Sequence, residues 1–178
     1  MKAYKKIALS GMMCALAVLI MLIGSFIQIL DLTAAAAAGL TVVFAMIELG
    51  KKYALLVYAV SSLLALVLLP YKSPAVIFVL FAGIYPVLKE ILHRIKNKTL
   101  AYTAKLLVFN LFFTGIIYIG RNLFGLTDDF YGFNTDILGI AIYLFGNAVF
   151  IVYDIALDRL VVFYSVKIKR IFDKSYKI

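Results

Sequence analysis

The residues that could perform chemistry are few and widely separated in this sequence. Asp154 and Asp158 are four residues apart and share one face of a helix, so the pair could bind a metal ion or share a proton. The single histidine, His93, has no second histidine for a metal site, and the single cysteine, Cys14, can form neither an intrachain disulfide nor a cysteine-based zinc site. Glycine-rich phosphate loops and the H-E-x-x-H and G-x-S-x-G motifs are absent. We therefore expect no metal, no cofactor and no motif-bearing ATPase or hydrolase activity.

The two aspartates differ in their surroundings. Asp158 precedes Arg159, which favours a charge pair near an interface. Asp154 lies deeper in an apolar run, where an ionised carboxylate that faces lipid costs at least about 2.5 kcal/mol. We expect it to face other helices and to pair with Lys89 or Lys105. A membrane enzyme that uses Asp154 and Asp158 is the alternative.

Composition determines the elements that must position these residues. The chain has 178 residues, of which 65% are apolar and 15% charged. In soluble domains, about 45–50% of the residues are apolar and about 25% are charged. A soluble globular fold is excluded, and no length remains for a nucleotide-binding domain. The formal charge of +9 would indicate nucleic acid in a soluble protein, but here the bases cluster between apolar runs. We expect no nucleic-acid partner.

Six continuous apolar runs predict six transmembrane helices, because a span needs about 20 apolar residues and β-barrel strands would alternate in polarity. The first run is longer than the apolar part of a signal peptide, which favours a span. The predicted fold is a compact, all-α bundle in a single domain, 1–178. The spans are expected at about 7–30, 32–49, 53–69, 74–92, 100–120 and 137–166.

Basic residues indicate the orientation of the bundle. If the spans alternate from a cytoplasmic N-terminus, all 18 Lys and Arg residues except Lys72 and Arg121 fall on the inner side. This bias follows the positive-inside rule and predicts that both termini are cytoplasmic.

The start of the first span carries a stripe of small residues. Gly11 and Ala15 are four residues apart, with Ala8 nearby, and such stripes allow helices to approach closely in lipid. The stripe is expected to be a docking face, either for another helix of this chain or for a partner subunit. The alanines of 34–38, followed by Gly39, predict a second close-packing segment.

Polar and aromatic residues in the outer halves of the spans predict a ligand site. The loop from Arg121 to Asp136 is expected to be a lid, and Asn147 the floor of a pocket in which Tyr143 stacks on a flat ring. The predicted substrate-binding residues are Asn147, Tyr143, Asn134, Asp136, Arg121, Tyr118 and Lys72.

The chain resembles the substrate-binding S components of bacterial energy-coupling factor transporters. The resemblance lies in its size, in six spans with both ends inside, and in the opening segment 5–17, KKIALSGMMCALA, where Gly11 stands at a position usually taken by alanine. The family implies a small bundle in the bacterial plasma membrane that captures a vitamin or related micronutrient from outside.

The resemblance also implies the partners. The first-helix small residues, Gly11, Ala15 and Ala8, would dock on a transmembrane coupling subunit driven by two ATPase subunits, so this chain itself would not be an enzyme. A membrane enzyme and a non-catalytic assembly subunit remain alternatives.

Overall fold

The computed structural model describes residues 3–93, 95, 97–124, 135–164 and 166. These residues form helices and no strands, as the composition predicts. By internal contacts the chain divides into two units, Met1–Phe130 and Tyr131–Ile178. The first unit contains helices α1 to α6 and the second contains α7.

From α1 to α6 the helices follow one another with short connections. The helices are α1 (Ala3–Phe26), α2 (Asp31–Leu49), α3 (Lys51–Leu68), α4 (Ser73–Ile77), α5 (Tyr85–Leu92), α6 (Lys98–Phe124) and α7 (Thr135–Phe163). A short 3-10 turn, Gln28–Leu30, precedes α2, and a π-helical turn, Phe78–Ala82, follows α4.

Six helical segments in the described part of the chain are long and apolar enough to cross a membrane. This confirms the number of spans predicted from the apolar runs, and it indicates a multi-pass membrane protein. The first helix ends at Phe26 rather than at about Leu30, because the amide N–H groups of Ile27 and Leu30 donate to the carbonyls of Gly24 and Ile27 in a tight turn. Asp31 then begins α2, where a carboxylate is stabilised by the helix dipole.

Helices α1 and α2 make the most extensive contact of the first unit. A Cβ atom built on Gly24 would overlap the Cβ atom of Ala34, so only glycine allows the two backbones to approach this far. Ala35, Ala38 and Gly39 are also buried. The alanine segment therefore packs closely, as its sequence predicts.

Gly50 alone connects α2 to α3. Its φ of 90° lies in the left-handed region that favours glycine, and the chain reverses at this residue. Helix α3 consequently returns beside α1, and the two helices run parallel. The Cys14 thiol contacts the Val57 carbonyl oxygen at 3.6 Å across this interface.

The regular α-helical bonding of the fourth span, Ser73–Leu92, is interrupted at 78–84, which the sequence analysis did not predict. We call this interruption the break. The Gly83 amide donates to the Phe78 carbonyl at 2.8 Å, a bond that closes a π-helical turn before α5 begins. Pro86 lies in the first turn of α5 and has no N–H to donate to the preceding turn. The break therefore coincides with a missing backbone donor.

Two glycines of α1 provide a matched test of this packing. We expect Gly24→Ala to lower stability by about 1–3 kcal/mol, because its methyl group forces α1 away from α2. Gly11→Ala should cause no loss, since no atom lies within 4 Å of a Cβ at that position. Sodium dodecyl sulfate titration of the purified protein in mixed micelles would measure both, and equal stability of the two variants would contradict the packing described here.

Candidate functional site

Lys72, a predicted substrate-binding residue, lies in the turn between α3 and α4. Its ammonium group donates to the carbonyl oxygen of Leu69 at 2.6 Å and to that of Val67 at 3.4 Å. Terminal carbonyls of a helix lack intrahelical partners, and a lysine there satisfies them. The structure thus gives Lys72 a capping contact at the end of α3.

Two other predicted substrate residues, Tyr143 and Asn147, lie one turn apart on α7. The Asn147 side-chain amide donates to the Tyr143 backbone carbonyl at 2.8 Å. This bond provides the half-buried amide with a partner inside its own helix, and it fixes the side chain toward the turn that carries Tyr143. On α6, Tyr118 is 69% exposed.

The remaining predicted ligand residues are not described in full. Arg121 and Asp136 belong to α6 and α7 by their backbones, and their side chains are outside the described part. Asn134 and most of the predicted lid, 125–134, lie outside the described residues. The lid and the pocket beneath it therefore stay predictions.

Three of the charged residues singled out within the spans are buried. Asp154 and Lys105 are each 3% exposed, and Lys89 is 7% exposed. The Lys105 ammonium lies 5.3 Å from the centre of the Tyr102 ring, a cation–π distance. Each of these three charged groups takes part in an interaction in the structure. The pairing of Asp154 with either lysine remains a prediction.

The predicted docking stripe lies on an uncovered face of α1. Ala8, Gly11 and Ala15 are all exposed, whereas Cys14 and Ala17 point into the first unit. Within the described part of the first unit, no helix is therefore packed directly against the stripe.

Gly11 and Ala15 line a groove of about 340 Å³ between α1 and α3. We call it the α1–α3 groove. Its lining residues are Ile7, Ser10, Gly11, Cys14 and Ala15 on α1, with Tyr53, Leu56, Val60 and Leu64 on α3. The small residues of α1 create the space, and the large side chains of α3 form its opposite wall.

The polar atoms at the base of this groove are occupied. The Ser10 hydroxyl donates to the Lys6 carbonyl at 2.9 Å, and the Cys14 thiol donates to the Val57 carbonyl at 3.6 Å. What the groove presents to an occupant is therefore mainly apolar surface.

The broken fourth span is a second unusual feature, and π-helical turns occur frequently at functional sites. The Tyr58 hydroxyl of α3 donates to the Val79 carbonyl at 2.7 Å. Gly83 is tightly enclosed, since a Cβ there would lie 2.7 Å from Tyr58 Cδ2 and 2.8 Å from Phe78 Cζ. The break is therefore packed and hydrogen-bonded within the first unit, which supports a structural role.

Sequence reasoning passed over this feature, although Gly83 and Pro86 were a signal inside the apolar run. An aromatic cluster surrounds the break. Phe81 stacks on Tyr85 with ring centres 5.0 Å apart and meets the edge of Phe109 at 5.3 Å. These contacts join α6 to the broken span.

Neither a protein-family model nor a curated protein nor a solved structure matches this chain.

The hydrogen bond at the broken span can be tested with two tyrosines. We expect Tyr58→Phe to lower the free energy of unfolding by about 0.5–1.5 kcal/mol, because the Val79 carbonyl loses its donor in an apolar setting. Tyr71→Phe is the matched control, since Tyr71 is exposed and should tolerate the change. The melting temperatures of the two variants in detergent would be compared with that of the unmodified protein. If Tyr58→Phe leaves the melting temperature unchanged, the break does not need this bond.

Proposed function

We propose that this protein is the substrate-specific membrane subunit of an energy-coupling factor transporter, and that it captures a vitamin-like small molecule from outside the cell. The proposal combines six candidate spans, the basic and small-residue opening of α1, and the absence of any nucleotide-binding motif in the sequence. Without such a motif, the energy for uptake has to come from ATPase partners.

The observation that carries the proposal is the uncovered α1 stripe. Gly11 and Ala15 border an open, mainly apolar groove, and a Cβ at Gly11 would meet no atom within 4 Å. In lipid, helices associate through close contacts between small residues because apolar burial gives little energy there. A helix of a coupling subunit could approach α1 closely along this stripe.

The proposed orientation places both termini and most basic residues in the cytoplasm of a bacterial cell, following the positive-inside rule. The α1–α3 groove would then open within the cytoplasmic half of the membrane. A coupling subunit that works with cytoplasmic ATPases would contact the protein on that side.

On the substrate side, the proposal keeps Tyr143 and Asn147 of α7 as ligand contacts. Their bond places the Asn147 amide on the Tyr143 turn, so an aromatic ring and an amide lie on one face of the helix. A ring surface and a few polar groups in apolar surroundings are typical of small-molecule sites.

The alternative of a membrane enzyme based on Asp154 and Asp158 has less support. A catalytic carboxylate must be reached by water and substrate, whereas Asp154 is 3% exposed. Its burial favours a structural role.

The docking stripe is tested by adding bulk. We expect Gly11→Leu and Ala15→Leu to reduce recovery of a co-expressed coupling subunit and its ATPases by more than tenfold, because the larger side chains separate the helices. Gly115→Leu on α6 is the matched control, since Gly115 is also open. Affinity purification from membranes would measure the recovery.

The monomer provides the second readout for these variants. Both substitutions should leave its melting temperature in detergent unchanged within error. If Gly11→Leu or Ala15→Leu unfolds the isolated protein, the stripe serves internal packing and the docking assignment is wrong.

The ligand site is tested at Asn147. Native mass spectrometry of the detergent-purified protein should find a retained small molecule, and calorimetry with that molecule should show that Asn147→Ala weakens binding by about 1–3 kcal/mol through a lost hydrogen bond. Tyr143→Ala should have a comparable effect through lost ring contact. Unchanged affinity in both variants would exclude this face of α7 as the site.

A further inference from the structure

One end of the α1–α3 groove lies at a cluster of lysines. Helices α1 and α3 both begin there, and Lys5, Lys6, Lys51 and Lys52 stand in their first turns. The Lys6 ammonium lies 5.5 Å from the centre of the Tyr53 ring, and Tyr53 lines the groove. We call these four lysines the basic end of the groove.

The lysines of the basic end are not equivalent. Lys51 forms an ion pair with Glu90 of α5 at 2.7 Å, which neutralises its charge. Lys5 and Lys52 are exposed, and Lys6 is half-buried against Tyr53. Glu48 is the other acidic residue at this end, so the lysines outnumber the carboxylates even within the described residues.

The length of the groove matches one leaflet of a bilayer. Its α3 wall runs from Tyr53 to Leu64, which corresponds to about 16 Å at about 1.5 Å per residue. The hydrocarbon core of a bilayer is about 30 Å thick, so one leaflet contributes about half of that. If the lysines lie at the level of the head groups, the groove reaches to about the level where acyl chains end.

The wall of the groove continues into an apolar surface. Ile7, Leu56 and Val60 are exposed on its two sides. In a membrane this surface faces hydrocarbon, and a trough in it is filled by a lipid chain unless protein covers it. The charge at its open end determines which head group fits.

We propose that the α1–α3 groove holds one acyl chain of an anionic phospholipid whose phosphate lies against Lys5, Lys6 and Lys52. The apolar walls accept the chain, the space over Gly11 and Ala15 admits it, and the basic end attracts the negative head group. This inference concerns the isolated chain and does not depend on the transport function. A subunit that docks on the same stripe would displace the lipid.

The test compares two lipids with identical acyl chains. Delipidated full-length protein in mild detergent is titrated with phosphatidylglycerol or phosphatidylcholine, and native mass spectrometry measures the fraction of protein that carries one lipid. We expect phosphatidylglycerol to bind at least tenfold more tightly. Equal binding of the two lipids would overturn the proposal.

Three single substitutions locate the head group. Lys5→Gln and Lys52→Gln should each weaken phosphatidylglycerol binding about fivefold and leave phosphatidylcholine unchanged. Lys51→Gln is the matched control, because it removes the same charge from a lysine already paired with Glu90, and it should weaken binding less than twofold. If all three variants lose affinity equally, net charge rather than a head-group site explains the preference.

Filling the groove locates the acyl chain. Ala15→Phe should reduce retention of both lipids more than tenfold, with the melting temperature confirming that the variant is folded. A folded Ala15→Phe variant that still binds both lipids would overturn the proposal, as would a dimer of this chain that carries no lipid in the native spectrum.

Discussion

The close approach of α1 and α2 is the constraint on which the rest of the first unit depends. In lipid, the burial of apolar side chains between helices gives little free energy, so helices associate through close contacts that only small residues allow. Gly24 supplies that contact against Ala34, and Ala35 and Ala38 extend it along α2. Once this pair is formed, the reversal of the chain at the single residue Gly50 directs α3 back beside α1.

Two opposite faces of α1 therefore have different roles. The face that carries Ala17 and Gly24 makes contacts within the chain. The face that carries Gly11 and Ala15 stays open and forms one wall of the groove. The same helix therefore links the internal packing to the proposed functions. A docking subunit and a lipid chain would both use the open face, and the proposed lipid would hold it while the subunit is absent.

The lysines at the start of α1 and α3 contribute both to the predicted orientation of the protein in the membrane and to contacts between helices. Lys6 contacts Tyr53, and Lys51 bonds to Glu90, so three helices are connected at one end by charged side chains. These contacts differ from the diffuse charge bias that predicts topology. They leave Lys5 and Lys52 exposed at the end of an apolar groove, where an anionic group would be attracted.

The sequence by itself determined the helical class, the number of spans and the close packing of the alanine segment, because apolar run length and residue size act locally. It could not distinguish Gly11 from Gly24, since both are glycines of one helix and only the position of α2 decides which is covered. It also passed over the break in the fourth span. The side chain that donates to the Val79 carbonyl at this break is Tyr58, which belongs to another helix. Tertiary structure decided both points, because each depends on which helix packs beside the residue.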